Sequence, residues 1–354
     1  MNTTGRPAPP ALAAQRLRAQ LLSGAPARSV AGVTGHLLAI QAQDPRGARL
    51  SVRARTSGLL ATDVDDALTA DRSVVVSWLN RGTLHLVLAE DYWWLHQLTT
   101  PQLVTGNTRR LAQEGVPPAD AERGVAVIER SRAAEGPLTR AQLRDRVAAA
   151  GVRTEGQAIV HVLVLATLRG LIVRGPMAGR EHAYALVRDW LGAPPAEHAR
   201  FDRDRALAEL AARYLAGHGP ATERDLAKWA GLPLRDAQRG LAAIAARLAD
   251  RDDGLAALAG RLSDCPLPPP RLLGAFDPLL LGWAAREPVV GPHGRQVAVN
   301  GLFRPFALVR GRAVGTWSLP GGKVALAPFA PLGGADAAAL AADAADVERF
   351  LRVR

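Results

Sequence analysis

A short pattern occurs twice in this chain: a small residue, proline, any residue, threonine and, four residues after the threonine, leucine. One copy runs from Gly136 to Leu143 and the other from Gly219 to Leu226. In each copy the threonine, Thr139 or Thr222, is a predicted N-cap, because its hydroxyl accepts a bond from an early helical N–H. Each copy predicts the start of a helix, and the pair indicates a loose internal repeat of helix-turn-helix units.

Helices and strands recur in the same order along the chain. Apolar periodicity predicts further helices at 11–23, 29–40, 62–69, 157–169 and 233–248. Ser29 is the predicted N-cap of the helix at 29–40. Strands are predicted at 74–87, with a break at Asn80-Arg81-Gly82, and at 171–175 and 182–187. Helices that are followed by a two-stranded hairpin are typical of winged-helix units.

The chemistry of the chain changes after the proline-rich stretch 266–270. Short apolar runs separated by turns such as Asn300-Gly301 predict a small β-sheet, and a closing helix is expected over 335–353. The predicted fold class is α+β: about three tandem winged-helix motifs, then a small C-terminal β-domain with a closing helix. The predicted domains are winged-helix units at 1–125, 126–200 and 201–265, and the β-domain at 266–354.

The balance of charge favours a polyanionic partner. Lys plus Arg number 44 against 33 Asp plus Glu, a formal net charge of +11, and only Lys228 and Lys323 are lysines. Arginine forms bidentate bonds with phosphate, which lysine cannot do. A basic surface that serves only solubility is the alternative.

One cysteine, Cys265, excludes an intrachain disulfide framework and a cysteine-based zinc site. The N-terminus has no apolar segment of a secretion signal, and no apolar run approaches the ~18 residues of a transmembrane helix. We therefore expect a cytoplasmic, nucleoid-associated protein with no membrane partner.

Motifs for nucleotide binding, zinc hydrolysis and serine hydrolysis are missing from the sequence, so we expect no cofactor and no metal. Most of the scattered histidines, such as His36, His85 and His161, are interpreted as structural. His293 differs, because it lies beside Arg295 in a predicted hairpin tip, Gly291–Gly294. A basic, rigid tip suits a nucleic-acid groove, and an ordinary polar turn is the alternative.

Gln41-Ala42-Gln43 is the candidate catalytic segment. Each primary amide offers a donor and an acceptor, so two amides that lie two residues apart can hold a water molecule at a defined angle. Asp44 follows, either as a catalytic carboxylate or as a cap. The alternative for the whole segment is a helix that ends before Pro45 with two solvated polar residues.

Arginines follow this segment closely. Arg46, Arg49, Arg53 and Arg55 come next in the chain, and on a strand Arg53 and Arg55 would share one face. Such a row suits phosphate contacts around a flipped nucleotide, whereas a solvated strand edge is the alternative. Weaker candidates of the same kind are Arg81, Arg109, Arg110 and Arg304.

Five segments, taken in order, resemble the AlkZ/YcaQ-type winged-helix DNA glycosylases. They are Gln41-Ala42-Gln43-Asp44-Pro45, Ser77-Trp78-Leu79-Asn80-Arg81-Gly82-Thr83-Leu84-His85, Gly219-Pro220-Ala221-Thr222, Phe276-Asp277-Pro278-Leu279-Leu280-Leu281-Gly282-Trp283 and Gly311-Arg312-Ala313-Val314-Gly315-Thr316-Trp317. With Gln-apolar-Gln at 41–43, the chain resembles the branch that confers self-resistance to DNA-alkylating natural products. It departs from the family at the DNA-facing hairpin, where 291–294 is the nearest counterpart of a His-apolar-Pro segment.

The resemblance implies a monofunctional DNA glycosylase that hydrolyses the N-glycosidic bond of alkylated purines, N7-alkylguanine and also N3-alkyladenine, including bulky adducts or crosslinks. Gln41 and Gln43 would be catalytic. Double-stranded DNA would be the partner, with no cofactor and no obligate protein partner. A DNA-binding protein without catalysis, such as a transcription regulator, is the alternative, and it leaves the two glutamines unexplained.

Overall fold

The structure is a computed structural model that describes residues 10–179, 181–196, 200–261 and 266–352. Cys265 lies outside these residues. The described residues form a mixed α+β fold, as the sequence predicts.

The α-helices are, in chain order, α1 (Pro10–Ala19), α2 (Val30–Leu37), α3 (Pro45–Arg53), α4 (Ala61–Thr69), α5 (Tyr92–Thr99), α6 (Val104–Gln113), α7 (Pro118–Glu135), α8 (Arg140–Ala149), α9 (Ala158–Leu168), α10 (Val187–Trp190), α11 (Arg203–His218), α12 (Glu223–Ala230), α13 (Leu234–Ala243), α14 (Pro278–Leu281), α15 (Glu287–Val290), α16 (Gly294–Val297) and α17 (Gly334–Phe350). The strands are β1 (Ile40–Gln41), β2 (Val74–Leu79), β3 (Thr83–Leu88), β4 (Ile172–Ala178), β5 (Glu181–Leu186), β6 (Arg271–Leu273), β7 (Ala298–Val299), β8 (Leu302–Phe303), β9 (Phe306–Val309), β10 (Arg312–Ser318) and β11 (Ala325–Pro328).

The chain divides into two compact units. The split unit is formed by two segments of chain, Met1–Val64 and Leu207–Arg354, and the central unit by Asp65–Ala206. The divisions between them fall inside α4 and α11. The four smaller modules that the sequence predicts stay a prediction.

Three predicted helix starts are confirmed by their caps. The Ser29 hydroxyl accepts from Gly32 N at 3.0 Å at the start of α2. Thr139 and Thr222 each form a capping box, in which the side chain three residues later bonds back to the backbone of the threonine. These reciprocal bonds satisfy N–H groups that a helix start otherwise leaves unpaired.

The central unit contains an antiparallel sheet in the order β3-β2-β4-β5. Both predicted hairpins are present, and the first turns at Asn80-Arg81-Gly82 as expected. Every residue of β2 is buried, because strands flank it on both sides and α5 and α9 contact it. A valine-rich run suits such a position.

The split unit contains the second sheet, in the order β11-β10-β9-β6, and the two-stranded hairpin β7–β8. α17 contacts β6, and Trp317 donates from Nε1 to Leu273 O at 2.9 Å across the buried side of the sheet. A small antiparallel sheet and a closing helix are therefore present in the part of the chain where the sequence predicts them. Val289-Val290, one of the short apolar runs after the proline-rich stretch, belongs to the helix α15 rather than to a strand, and Pro288 lies in the first turn of that helix, where a proline is tolerated.

Candidate active site

Gln41-Ala42-Gln43 lies in the connection between α2 and α3, in the split unit. α2 ends at Leu37, before the predicted Ile40, and Leu38 turns the chain with a φ of 66°. Ile40 and Gln41 form β1, and α3 begins at Pro45. The segment is therefore a connection between two helices rather than the last turn of one.

The two glutamines differ in exposure. Gln41 is buried, with 8% of its surface exposed. Gln43 is exposed, and Ala42 between them is buried. A primary amide does not titrate near neutral pH, so the pair is able to orient a water molecule or a dipole but cannot take up a proton.

Asp44 caps α3. Its Oδ1 accepts a hydrogen bond from Arg46 N at 3.1 Å. Pro45 occupies the first helical turn, where its missing N–H has no partner to lose. A carboxylate here also compensates the positive end of the helix dipole. The capping interpretation of Asp44 is confirmed, and a catalytic role for it stays a prediction.

Arg53 and Arg55 lie in the interior of the split unit rather than on a strand that faces DNA. The segment that begins at Pro45 is the helix α3, so the predicted strand is wrong. The Arg53 side chain is 2% exposed and forms ion pairs with Asp343 at 2.8 Å and Asp346 at 3.1 Å. Burial of a guanidinium requires such partners. The expectation that Arg53 and Arg55 contact phosphate is corrected, because neither has guanidinium surface left for it.

Arg55 forms a two-bond ion pair with Asp277. Its Nη1 and Nη2 donate to the two carboxylate oxygens at 2.9 and 2.8 Å, and both side chains are fully buried. Gln20 accepts two more bonds from Arg55, at its backbone O (2.8 Å) and at Oε1 (3.0 Å). These bonds join the end of α3 to α1 and to the start of α14.

Asp277 is not among the site residues predicted from the sequence, although one local pattern indicates its role as a helix cap. Asp277-Pro278 repeats the pair Asp44-Pro45, and Asp277 likewise caps a helix, by accepting from Leu279 N at 2.9 Å. An aspartate before a proline is a typical helix start. The pairing of Asp277 with Arg55 has no local signal, since 222 residues separate the two.

α3 also makes a close backbone contact with the segment after β6. A Cβ built on Gly47 would overlap Ala275 O, and one built on Gly274 would lie 3.0 Å from Gly47 O. Only residues without a Cβ permit this approach. This backbone contact and the ion pairs of Arg53 and Arg55 fix α3 against the C-terminal part of the split unit. One end of the glutamine segment is fixed with α3, because the segment leads directly into that helix.

The other predicted contact arginines lie near the surface. Those that are exposed are Arg46, Arg295 and Arg304 in the split unit, and Arg109 and Arg110 on α6 in the central unit. Arg81 is half-buried in the turn between β2 and β3. Their contact with DNA stays a prediction.

His293 does not lie at a hairpin tip. It ends a 3₁₀ turn, Gly291–His293, and stacks on Phe329 with 4.3 Å between the ring centroids. The predicted tip is wrong because Gly291, with a φ of 53°, ends α15 instead of turning a hairpin. The hairpin is β7–β8, whose turn residues Asn300 and Gly301 both have positive φ.

The β7–β8 hairpin presents apolar side chains to solvent. Leu302 is 70% exposed and Val299 44%. At the base of the hairpin, Phe303 packs on Phe276 with 5.2 Å between the centroids, and Arg286 lies over the Phe303 ring. Adjacent exposed apolar side chains on a supported turn are typical of an interaction surface.

Three histidines have structural roles, as expected. His36 Nε2 lies 2.7 Å from Ala19 O, His85 Nδ1 lies 2.9 Å from Thr83 O, and His161 Nδ1 lies 3.0 Å from the Asn107 amide oxygen. Burial lowers the pKa of each of the three imidazoles below its usual value. They are therefore neutral hydrogen-bonding groups at pH 7.

Within the described residues, no group of three or more His, Cys, Asp and Glu side chains is arranged to hold a metal ion. In that same part of the chain, no helix is both long and apolar enough to span a membrane.

Comparison with known proteins gives consistent similarities. The sequence profile of the family described as DNA glycosylase AlkZ-like matches residues 34–350. An interstrand DNA cross-link repair glycosylase from Streptomyces sahachiroi is 28% identical over 341 residues, which cover 89% of each chain. The solved structure of Streptomyces sahachiroi DNA glycosylase AlkZ matches with a TM-score of 0.77 at 25% identity, over 98% of each chain. The region matched by the profile includes Gln41 and Gln43.

Proposed function

We propose that this chain, which belongs to the AlkZ-like family of DNA glycosylases, hydrolyses the N-glycosidic bond of alkylated purines in double-stranded DNA. The observation that carries the proposal is the Gln41-Ala42-Gln43 segment. It runs from β1 to the capped start of α3 and contains one buried and one exposed glutamine. We therefore assign the chain to the family branch with two glutamines.

Hydrolysis of an alkylated purine nucleotide is a reaction that amide side chains can catalyse. Alkylation at N7 gives the purine a positive charge, so it leaves readily with the bonding electron pair as a neutral alkylpurine. The sugar then approaches an oxocarbenium ion, as in glycoside hydrolysis. The protein has to stabilise that cation and place a water molecule, and oriented amide dipoles do both. The attacking water loses its proton to solvent.

Gln41 and Gln43 hold the attacking water jointly in this mechanism. Burial restricts the rotamers of Gln41 and thereby fixes the direction of its amide. Gln43, which is exposed, reaches the side from which DNA approaches. The Asp44 carboxylate adds negative charge beside the developing cation while it caps α3. The N-glycosidic bond of an unmodified purine, which is a poor leaving group, is not hydrolysed by this mechanism.

DNA contact is assigned to exposed cationic and apolar groups. The arginines are Arg46, Arg81, Arg109, Arg110, Arg295 and Arg304, which offer bidentate bonds to phosphate. The β7–β8 hairpin offers Leu302 and Val299, because apolar side chains on a rigid turn insert between base steps. Helices followed by a hairpin, β2–β3 or β4–β5, support the winged-helix motifs at 1–125 and 126–200. The third motif, at 201–265, rests on the helices α11 to α13 and on isolated β-bridges, and the β-domain at 266–354 follows it in this proposal.

The substrate range extends to bulky lesions in this proposal. The Streptomyces sahachiroi relative is named for interstrand cross-link repair, which supports an extension to crosslinks and large adducts. An enzyme of this range would protect a cell from its own alkylating natural product. It would act in the cytoplasm, on the nucleoid.

Base release from a panel of duplexes tests the proposal. The panel contains N7-methylguanine, N3-methyladenine, N7-alkylguanines of increasing size and unmodified guanine, with released bases identified by mass spectrometry. We expect release of the cationic lesions, bulky ones included, and none of guanine. A chain that releases no base and instead protects one DNA sequence in a footprint is a regulator, which contradicts the proposal. Release of methyl lesions alone contradicts the bulky range.

A further inference from the structure

The turn between β2 and β3 in the central unit carries buried polar atoms without partners. Asn80 is 0% exposed. Among the described residues, neither its Oδ1 nor its Nδ2 finds a hydrogen bond, and the same holds for Ser77 Oγ and Thr83 Oγ1. Buried polar groups are nearly always paired, and each unpaired one costs about 1–3 kcal/mol. Such a concentration of unpaired atoms indicates a missing partner.

These residues lie at the turn end of the β2–β3 hairpin. In the β2–β3 register Ser77 lies opposite His85, and Leu79 lies opposite Thr83. Opposite residues of an antiparallel pair share a face, as do residues two apart along a strand. Ser77, Thr83 and His85 therefore share one face, and Asn80 is the first residue of the turn that joins the two strands. We refer to Ser77, Asn80, Thr83 and His85 as the turn cluster.

The Asn80 amide does not stabilise its own turn. Asn80 has a φ of 49°, and asparagines in this conformation typically bond their own backbone through the side chain. Here the support comes from α5. Asn80 N donates to Thr99 Oγ1 at 3.1 Å, and Thr99 Oγ1 donates to Leu95 O at 2.8 Å. The Asn80 backbone is thus held in place by α5, without any bond from the Asn80 amide.

The turn cluster is uncharged. Burial, with a smaller contribution from Arg81, lowers the pKa of His85 to about 3, so its imidazole is neutral at physiological pH. Neutral donors and acceptors suit a neutral polar group better than a phosphate. Amide side chains pair well with nucleobase edges. Gly82, two residues after Asn80, is exposed, so the cluster lies close to the surface.

We infer that the turn cluster binds a neutral hydrogen-bonding group of the damaged nucleotide, with Asn80 as the specificity-determining residue. The inference rests on the proposed function, because the proposed substrate contains the damaged nucleotide that the turn cluster binds. The group is either an edge of the alkylated base or an oxygen of its deoxyribose. The unpaired polar atoms then lower the stability of the free protein, and the hydrogen bonds formed with the lesion compensate this loss.

Binding to uncleavable duplexes tests the inference. Fluorescence anisotropy compares an undamaged duplex, a duplex with a tetrahydrofuran abasic site and one with 7-methylguanine on a 2′-fluoroarabinose. Asn80→Gly removes the amide but allows the positive φ. We expect it to weaken binding to the 7-methylguanine duplex about tenfold, or about 1.4 kcal/mol, without changing the affinity for undamaged DNA. A loss confined to the 7-methylguanine duplex identifies the base, and a loss on both damaged duplexes identifies the sugar.

Stability separates this role from a structural one. Ser77→Ala and Thr83→Val remove hydroxyls that have no partner, so we expect the melting temperature to stay or rise while lesion affinity falls. The matched control is Asn107→Ala. Asn107 is a buried asparagine of the central unit whose amide is bonded to His161 at 3.1 and 3.0 Å. We expect the control to lower the melting temperature and to keep the preference for the lesion.

Two results overturn the inference. One is a preference of Asn80→Gly for the lesion within twofold of the wild-type value. The other is a wild-type protein that binds damaged and undamaged duplexes equally. Excision from a cleavable 7-methylguanine duplex is scored separately. A wild-type chain that prefers the lesion through Asn80 but releases no base contradicts the glycosylase proposal and leaves the turn cluster supported.

Discussion

Arg55 and Asp277 place one positive and one negative charge in the interior of the split unit. Both side chains are fully buried, and two direct bonds plus those to Gln20 satisfy the guanidinium. Removal of two charges from water costs several kcal/mol per ion, so the pair is tolerated only while it is complete. The role of Arg55 is to hold the end of α3.

Asp277→Asn tests this role. The change leaves the Arg55 charge buried without compensation, so we expect the free energy of unfolding to fall by about 3–5 kcal/mol. Urea denaturation measures it. The control is Asp346→Asn, which removes the partly exposed second partner of Arg53 and should cost at most about 1 kcal/mol. Equal, small losses in the two variants would contradict the assignment.

At the scale of elements, α3 is the helix that sets the position of the glutamine segment. Its start is capped by Asp44, its first turn touches the backbone of Ala275 through Gly47, and its end is held by Arg53 and by Arg55, which follows it. These three restraints act on one short helix. The direction of the Gln41–Gln43 connection therefore depends on residues far away in the sequence.

Gly47→Ala tests the close contact. Alanine in a helix interior normally stabilises by about 1 kcal/mol relative to glycine. At Gly47 the new methyl group would overlap a backbone carbonyl, so we expect destabilisation and slower excision. Gly106→Ala is the matched control, since Gly106 lies in α6 with nothing within 4 Å of the added Cβ. Urea denaturation should show opposite signs for the two variants, and a stabilised Gly47→Ala would show that the contact is not tight.

The sequence predicts elements better than it predicts the site. Caps such as Thr139 and hairpin turns such as Asn80–Gly82 depend on neighbouring residues, so their local patterns predict them correctly. The burial of Arg53 and Arg55 depends on carboxylates that lie 290 and 222 residues away in the sequence. A local pattern of alternating arginines is therefore compatible with a solvated strand, although the Asp44-Pro45 pair already indicates a helix start.

At the scale of the whole molecule, the formal charge of +11 has a direct consequence for DNA binding. Each phosphate neutralised by an arginine releases condensed counterions, so affinity falls as salt rises. The buried pairs of Arg53 and Arg55 do not contribute to this effect. The cationic side chains on the surface of the molecule set the salt dependence.

Removal of surface arginines should flatten that dependence. For Arg109→Gln with Arg110→Gln we expect the slope of log affinity against log salt for undamaged duplex to fall by roughly 0.9 per lost contact. The control is Arg188→Gln, whose guanidinium is bonded to Glu129 at 3.0 Å. Anisotropy titrations at several salt concentrations give the slopes. An unchanged slope in the double variant would exclude α6 from the DNA interface.

The central claim is that Gln41 and Gln43 position the attacking water. Single-turnover excision of N7-methylguanine from duplex DNA by Gln41→Ala, Gln43→Ala and the double variant measures it most directly. The control is Gln238→Ala, which removes an exposed amide on α13. We predict a tenfold or greater loss of rate for each catalytic variant, at least ~1.4 kcal/mol, with folding and DNA affinity retained and the control at the wild-type rate. A double variant that excises at close to the wild-type rate would contradict the account.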